Sequence, residues 1–326
     1  MINFEYKRVT TTKAAVDVKS KNAMSQFIAG GTNLVDLMKK GVTAPERIID
    51  INGLPLKQIT DDATGLLIGA LALNSDVAEH PQIKSKYPLL EMALNAGASA
   101  QLRNMATIGG NMMQRTRCTY FYDTTMPCNK RAPGSGCGAL KGQNRMHAIF
   151  GTSEKCIAVH PSDMCVALTA LDATVNITGP KGDRKLLFTD FHRLPGNTPE
   201  LDNNLQKDEI ITAIHLPFNN FNKAYYLKIR DRSSYAFALV SVAVVMHISG
   251  NIINHANLAM GGVAHKPWRL IEVEKFLIGK QPTNENFILA GNKAMEGAAG
   301  FGHNDFKIKM GKVTVAEALK QAAQNI

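Results

Sequence analysis

Gln26-Phe27-Ile28-Ala29-Gly30-Gly31-Thr32-Asn33-Leu34 reads as an apolar strand that stops on two glycines and turns at once into a helix-period segment, Leu34-Val35-Asp36-Leu37-Met38-Lys39. A strand, a glycine pair and a helix start point several backbone N–H groups at one spot, where the helix dipole also favours negative charge. Glycine permits the φ angles and the close backbone approach that such a site needs. Thr32 and Asn33 add side-chain donors. The stretch is neither the dinucleotide fingerprint G-x-G-x-x-G nor a phosphate-binding P-loop, and an ordinary strand-to-helix connection has the same pattern. With Arg47-Ile48-Ile49-Asp50-Ile51 as a second buried strand, it makes the N-terminal part a short α/β unit.

A second glycine turn, Thr107-Ile108-Gly109-Gly110-Asn111, lies downstream. Two such loops can grip the two phosphates of a dinucleotide from both sides; a plain tight turn is the alternative.

Four of the five cysteines, Cys118, Cys128, Cys137 and Cys156, follow directly in 39 residues spaced C-x9-C-x8-C-x18-C. This is neither a ferredoxin run nor a zinc knuckle, so four thiolates here suit tetrahedral Zn²⁺, a cubane iron–sulfur cluster or, without a metal, scattered free thiols. The stretch has little periodicity and a breaker cluster, Pro133-Gly134-Ser135-Gly136, so a bound metal or cluster would itself fold the loop. Cys165 falls inside a helix that starts at Pro161-Ser162-Asp163, beside its buried face, and reads as a core residue.

The bulk composition sets limits. A chain of 326 residues with 45% hydrophobic content buries a sizeable core and is expected to divide into two or three subdomains. No apolar run reaches the roughly 18–20 residues of a membrane span. Met1 to Arg8 has no apolar stretch of the signal-peptide kind. The net charge of +10 comes from basic residues spread along the chain, which argues against nucleic acid as a partner. Their local density peaks at Arg115, Arg117, Lys130, Arg131, Lys141, Arg145 and Lys155, where an anionic cluster or an acidic partner would account for them. An odd cysteine count in so long a chain argues against a disulfide scaffold.

The remaining pattern is mixed. Gly65–Ala70 predicts a strand and Leu89–Gly97 a helix. Residues 173–178 and 184–188 predict a hairpin, and Ile210–Pro217 an alternating strand. Ala236–Met246 fits a strand or a helix equally, and Ile252–Met260 a strand. Helices are predicted at Pro267–Leu277, Asn284–Met295 and Val315–Ala323.

Taken together, Ile28 to Leu34, Ala106 to Asn111, and Leu258-Ala259-Met260-Gly261-Gly262-Val263-Ala264 before Pro267 resemble, in order and over nearly the whole chain, the FAD-binding medium subunit of the molybdenum hydroxylases. That family includes xanthine, carbon monoxide and aldehyde dehydrogenases, and the likeness is strongest to the periplasmic aldehyde oxidoreductases of bacteria. The resemblance implies an α+β chain. It would comprise a vanillyl-alcohol-oxidase-like (PCMH-type) FAD fold in two subdomains, 1–54 and 55–217, and a C-terminal α+β domain, 218–326, with a three-stranded antiparallel sheet and helices. The cysteine region, 112–160, is an insertion that in similar subunits carries a 4Fe-4S cluster, which implies Cys118, Cys128, Cys137 and Cys156 as its ligands.

By the same resemblance, Gln26, Phe27, Ile28, Ala29, Gly30, Gly31, Thr32, Asn33 and Leu34 would wrap the FAD pyrophosphate, with Thr107, Gly109, Gly110 and Asn111 as the second loop. Asp123 would be the acid that follows that loop. Ile211 and Lys228 would lie by the isoalloxazine, where a lysine stabilises negative charge on reduction; a surface basic run is the ordinary reading of Lys228. The implied function is electron transfer within a heterotrimer. A large partner would hold a molybdenum cofactor and oxidise an aldehyde, and a small partner would hold two 2Fe-2S clusters. FAD would pass electrons to an external acceptor. The resemblance also implies periplasmic location by co-export with a partner, with the cytoplasm as alternative. Two other readings stand beside it: a free-standing NAD(P)H-dependent flavin reductase of related fold, and a zinc-stabilised binding module.

Overall fold

The glycine loop's flanking strand enters a small parallel sheet. In the computed structural model, which describes residues 1–324, β1 (Glu5–Arg8), β2 (Ser25–Ile28) and β3 (Arg47–Asp50) pair in the order β1-β3-β2. The buried side chains of Val9, Ala15, Val16 and Ile49 form the core beneath it. The helix Leu34–Lys39 begins where the sequence placed it.

A second, antiparallel sheet runs β4-β5-β8-β6-β7, from Ile59–Asp61 (β4), Gly65–Gly69 (β5), Thr174–Gly179 (β6), Gly182–Leu187 (β7) and Ile210–Pro217 (β8). Its apolar face packs on the helices Pro88–Ala96 and Asp163–Ala170. Every residue of Asp163–Ala170 is buried, so this helix is a core element and not a surface helix with one apolar face. Ser162 caps it, its Oγ accepting from the Cys165 N–H at 3.2 Å.

The third sheet has four strands in the order β12-β11-β10-β9, not the expected three: Lys223–Ile229 (β9), Val240–Ser249 (β10), Ile252–Gly261 (β11) and the two-residue Trp268–Arg269 (β12). The helix expected from Pro267 starts only at Ile271, because Trp268 and Arg269 pair with Met260 and Ala259. The last helix, Phe306–Gln324, starts nine residues before the predicted Val315. On β10, Ala243 and Val245 face the core of the second sheet, while Val242, Val244 and Met246 face that of the C-terminal helices.

Thr107–Asn111 is not a free turn. Thr107 is the N-cap of a short helix, Ile108–Met112, its Oγ1 accepting from the Gly110 N–H at 3.1 Å.

Candidate functional site: two cavities and a cysteine cage

The first cavity, about 390 Å³, is lined by all of Gln26–Leu34, by Thr107, Gly109 and Gly110, and by Ile211. Gly30 is required by sterics: a Cβ there would lie 1.8 Å from the Met105 carbonyl oxygen. Gly31 has φ +71°, which favours glycine. The helix Leu34–Lys39 begins at the cavity wall, where Asn33 and Leu34 both line the space, and a helix N-terminus favours an anion. Asn33 does more than offer a donor. Its Oδ1 accepts from the Arg115 backbone N–H at 3.0 Å and its Nδ2 donates to Tyr122 Oη at 3.4 Å, so the first loop is tied to the start of the cysteine insert. Asn111 is not in the lining; its Oδ1 accepts from Ser162 Oγ at 2.7 Å.

That hydrogen bond leads to a second cavity, about 300 Å³, lined by Thr116–Thr119, His147, His160–Asp163, Phe237 and Gly261–Gly262, among others. Its acid is Asp163. The carboxylate accepts from Lys228 Nζ and from Tyr226 Oη, each at 2.8 Å. Burial, and then the Asp163 charge, hold the Tyr226 hydroxyl well above its ordinary pKa. Lys228 is buried in this ion pair and lines neither cavity, so the structure does not bring Ile211 and Lys228 to one wall. Asp123 also lines neither; it is exposed and accepts from the Thr125 N–H and hydroxyl. Sequence reasoning missed Asp163, which follows the N-cap Ser162 and reads in the sequence as part of a helix start.

The four inserted cysteines line one small cavity. Asn129 shapes the loop that closes it, its Oδ1 accepting from Gly134 N–H at 3.1 Å and Gly136 N–H at 2.9 Å, so Cys128 and Cys137 face each other across a two-residue bridge. Burial pushes the Cys118 thiol up to about 12 and the Cys156 thiol up to about 11, so their thiolates need a positive centre. Tetrahedral Zn²⁺ would hold sulfur atoms about 3.8 Å apart. Among the described residues, the three-ligand groups within 4.8 Å do not include these cysteines. Four thiols lining one cavity are a donor set for a metal ion or for an iron–sulfur cluster. Cys118 and His147 line both the cage and the second cavity, and His147 Nε2 stands 3.1 Å from Cys118 Sγ. Cys165 is fully buried in its helix, and burial pushes its thiol up to about 12.

The basic residues around the cage are largely engaged within the chain. Arg117 pairs with Asp36, Arg145 with Asp231, and Arg131 donates to the carbonyls of Tyr120 and Phe121.

Comparison with known proteins gives one result throughout. Residues 2–219 match the family described as FAD binding domain in molybdopterin dehydrogenase, and residues 225–322 match the CO dehydrogenase flavoprotein C-terminal domain. The chain is 47% identical over 322 residues to the aldehyde oxidoreductase FAD-binding subunit PaoB of Escherichia coli K12, covering 98% of each chain. It is 32% identical over 279 residues to the glyceraldehyde dehydrogenase medium chain of Sulfolobus acidocaldarius, covering 85% of this chain and 82% of that one. A solved carbon monoxide dehydrogenase from Hydrogenophaga pseudoflava superposes with a TM-score of 0.78 at 25% identity, covering 99% of both chains.

Proposed function

The chain belongs to the FAD-binding subunit family of the molybdopterin dehydrogenases, and on that premise we propose that it is the FAD- and 4Fe-4S-carrying medium subunit of an aldehyde-oxidising heterotrimer. Its partners in this reading are a large molybdenum-cofactor subunit, which oxidises the aldehyde to the acid, and a small subunit with two 2Fe-2S clusters. The observation that carries the reading is the convergence of Cys118, Cys128, Cys137 and Cys156 on one cage that shares a wall with the second cavity.

FAD, when bound, accepts electrons one at a time and releases them in pairs. The glycine loops would hold its pyrophosphate in the first cavity. Asn33 and Thr107 keep these loops in register, Asn33 through Arg115 and Thr107 through its own helix cap. Asp163, held by Lys228 and Tyr226 behind it, supplies a carboxylate at the second cavity, the space we assign to the isoalloxazine. The four cysteines would hold the cluster, with His147 oriented on Cys118. In this reading the aldehyde chemistry belongs to the large partner.

No described helix is long and apolar enough to cross a membrane. The resemblance supports periplasmic delivery of the folded chain with an exported partner, which cell fractionation of a tagged chain checks.

The test is iron, acid-labile sulfide, flavin and zinc analysis of the purified chain, with an aldehyde assay. We expect one FAD and one 4Fe-4S cluster per chain, and no aldehyde turnover without partners. A colourless protein with a single zinc, or turnover by the isolated chain, would sink the reading.

A further inference from the structure

Between the cysteine cage and the first cavity stands one carboxylate shared by two cations. Lys130 lines the cage with a side chain only 1% exposed; its Nζ lies 2.5 Å from Asp202 Oδ1 and donates to the Pro199 carbonyl at 2.8 Å. Arg115 lines the first cavity, and its Nε donates to Asp202 Oδ2 at 2.6 Å. A second Arg115 nitrogen reaches the Glu200 carbonyl at 3.2 Å and the Lys130 carbonyl at 3.4 Å. The Arg115 guanidinium also lies 4.7 Å over the Phe121 ring, which fixes its plane. Burial alone would raise the Asp202 carboxyl, but Lys130 and Arg115 outweigh it and hold the group well below its ordinary range.

Each carboxylate oxygen takes one cation, Lys130 on Oδ1 and Arg115 on Oδ2, so Asp202 joins a residue of the cysteine cage to a residue of the first cavity. A centre bound by four thiolates is anionic and gains charge on reduction. A nearby ammonium therefore favours the reduced form, and a carboxylate paired with that ammonium offsets the effect.

We propose that Asp202 is a shared charge-setting residue, which masks Lys130 towards the cysteine cage and Arg115 towards the FAD cavity. It touches neither cofactor and acts through its two partners. The inference rests on the cluster reading above.

The test is an EPR-monitored redox titration of the purified holoprotein, with iron and sulfide content measured on each sample. Asp202→Asn unmasks Lys130, so the reduced-to-oxidised ratio of the cluster at fixed potential rises roughly tenfold, about 59 mV for one electron. Lys130→Met leaves Asp202 paired with Arg115 and moves the midpoint the opposite way; the double variant returns towards wild type. Packing damage would not produce opposed signs. Shifts of one sign in both variants, or none in samples that retain the cluster, overturn the inference. Should Asp202→Asn fail to fold, Lys130→Met decides alone: a negative shift supports it and no shift overturns it. A wild-type chain without labile sulfide overturns the cluster reading, and this inference with it.

Discussion

Lys228 Nζ stands 2.8 Å from Asp163 Oδ2, with side chains 4% and 7% exposed, and thereby ties β9 to the N-terminus of the helix Asp163–Ala170. The pair is shared with Tyr226, whose hydroxyl donates to the other carboxylate oxygen. Replacing one member of a buried pair leaves the other charge uncompensated, at a cost of about 3–5 kcal/mol. Asp163→Asn should therefore lower the unfolding temperature by many degrees and cut the flavin retained per chain. Adding Lys228→Met should restore stability but not flavin, because the second cavity still lacks the Asp163 carboxylate. Calorimetry together with flavin fluorescence of the released cofactor separates the two effects.

Gly30 approaches Met105 more closely than any side chain allows. Gly30→Ala must push the loop off the 105–106 backbone and change the mouth of the first cavity. We expect folded protein with flavin occupancy reduced at least tenfold and iron content unchanged. Equal loss of iron and flavin would show that the damage is global.

The cysteines divide into four and one. Cys137→Ser removes a cage thiol and should abolish the broad absorbance of a cluster near 400 nm. Cys165→Ala, in a helix core where the thiol acts as a small apolar group, should leave iron and sulfide unchanged and cost about 1 kcal/mol or less. Iron loss in Cys165→Ala would reassign the ligand set.

His192 and His265 are buried, and that burial lowers both imidazoles to about 4. In the unfolded chain they titrate near the ordinary value of about 6.5. Above that pH both states are neutral and the histidines exert no pH effect. As pH falls from about 6.5 to about 4, the unfolded chain takes up protons that the folded chain refuses, so stability falls in that window. Each pH unit there costs about 1.4 kcal/mol per histidine. His192→Gln and His265→Asn, whose amides can keep the bonds to the Met112 and Arg193 carbonyls, should flatten the acid limb of a melting-temperature profile.

The local parts of this molecule were legible in its sequence. The strand ending at Ile28, the helix Leu34–Lys39 and the Ser162 cap are short-range patterns whose causes lie within a few residues. The four cage cysteines and Cys165 could be separated because only Cys165 fell in a periodic segment. Asp163 was not singled out because nothing near it in the sequence marks it as more than a helix start, and only a contact 65 residues long, to Lys228, sets it apart from Asp123. The run at 236–246 resisted assignment for a different reason. β10 lies between two cores, so its alternate side chains are both apolar and the two-residue period vanishes. The first half of Phe306–Gln324 was hidden by Lys307, which reads as a surface residue but is fully buried, its Nζ donating to the carbonyls of His147 and Gly262.

The side-chain amide of Asn33 is gripped from both ends by the insert, at the Arg115 backbone and the Tyr122 hydroxyl. A newly made chain that has not closed its insert offers the dinucleotide a loop without this brace. On the proposed cluster reading, maturation then takes a direction, iron and sulfide first and flavin second. Chains made under iron starvation should then emerge poor in flavin however much of it the cell holds, and a shortage of one nutrient would be reported as the loss of two cofactors.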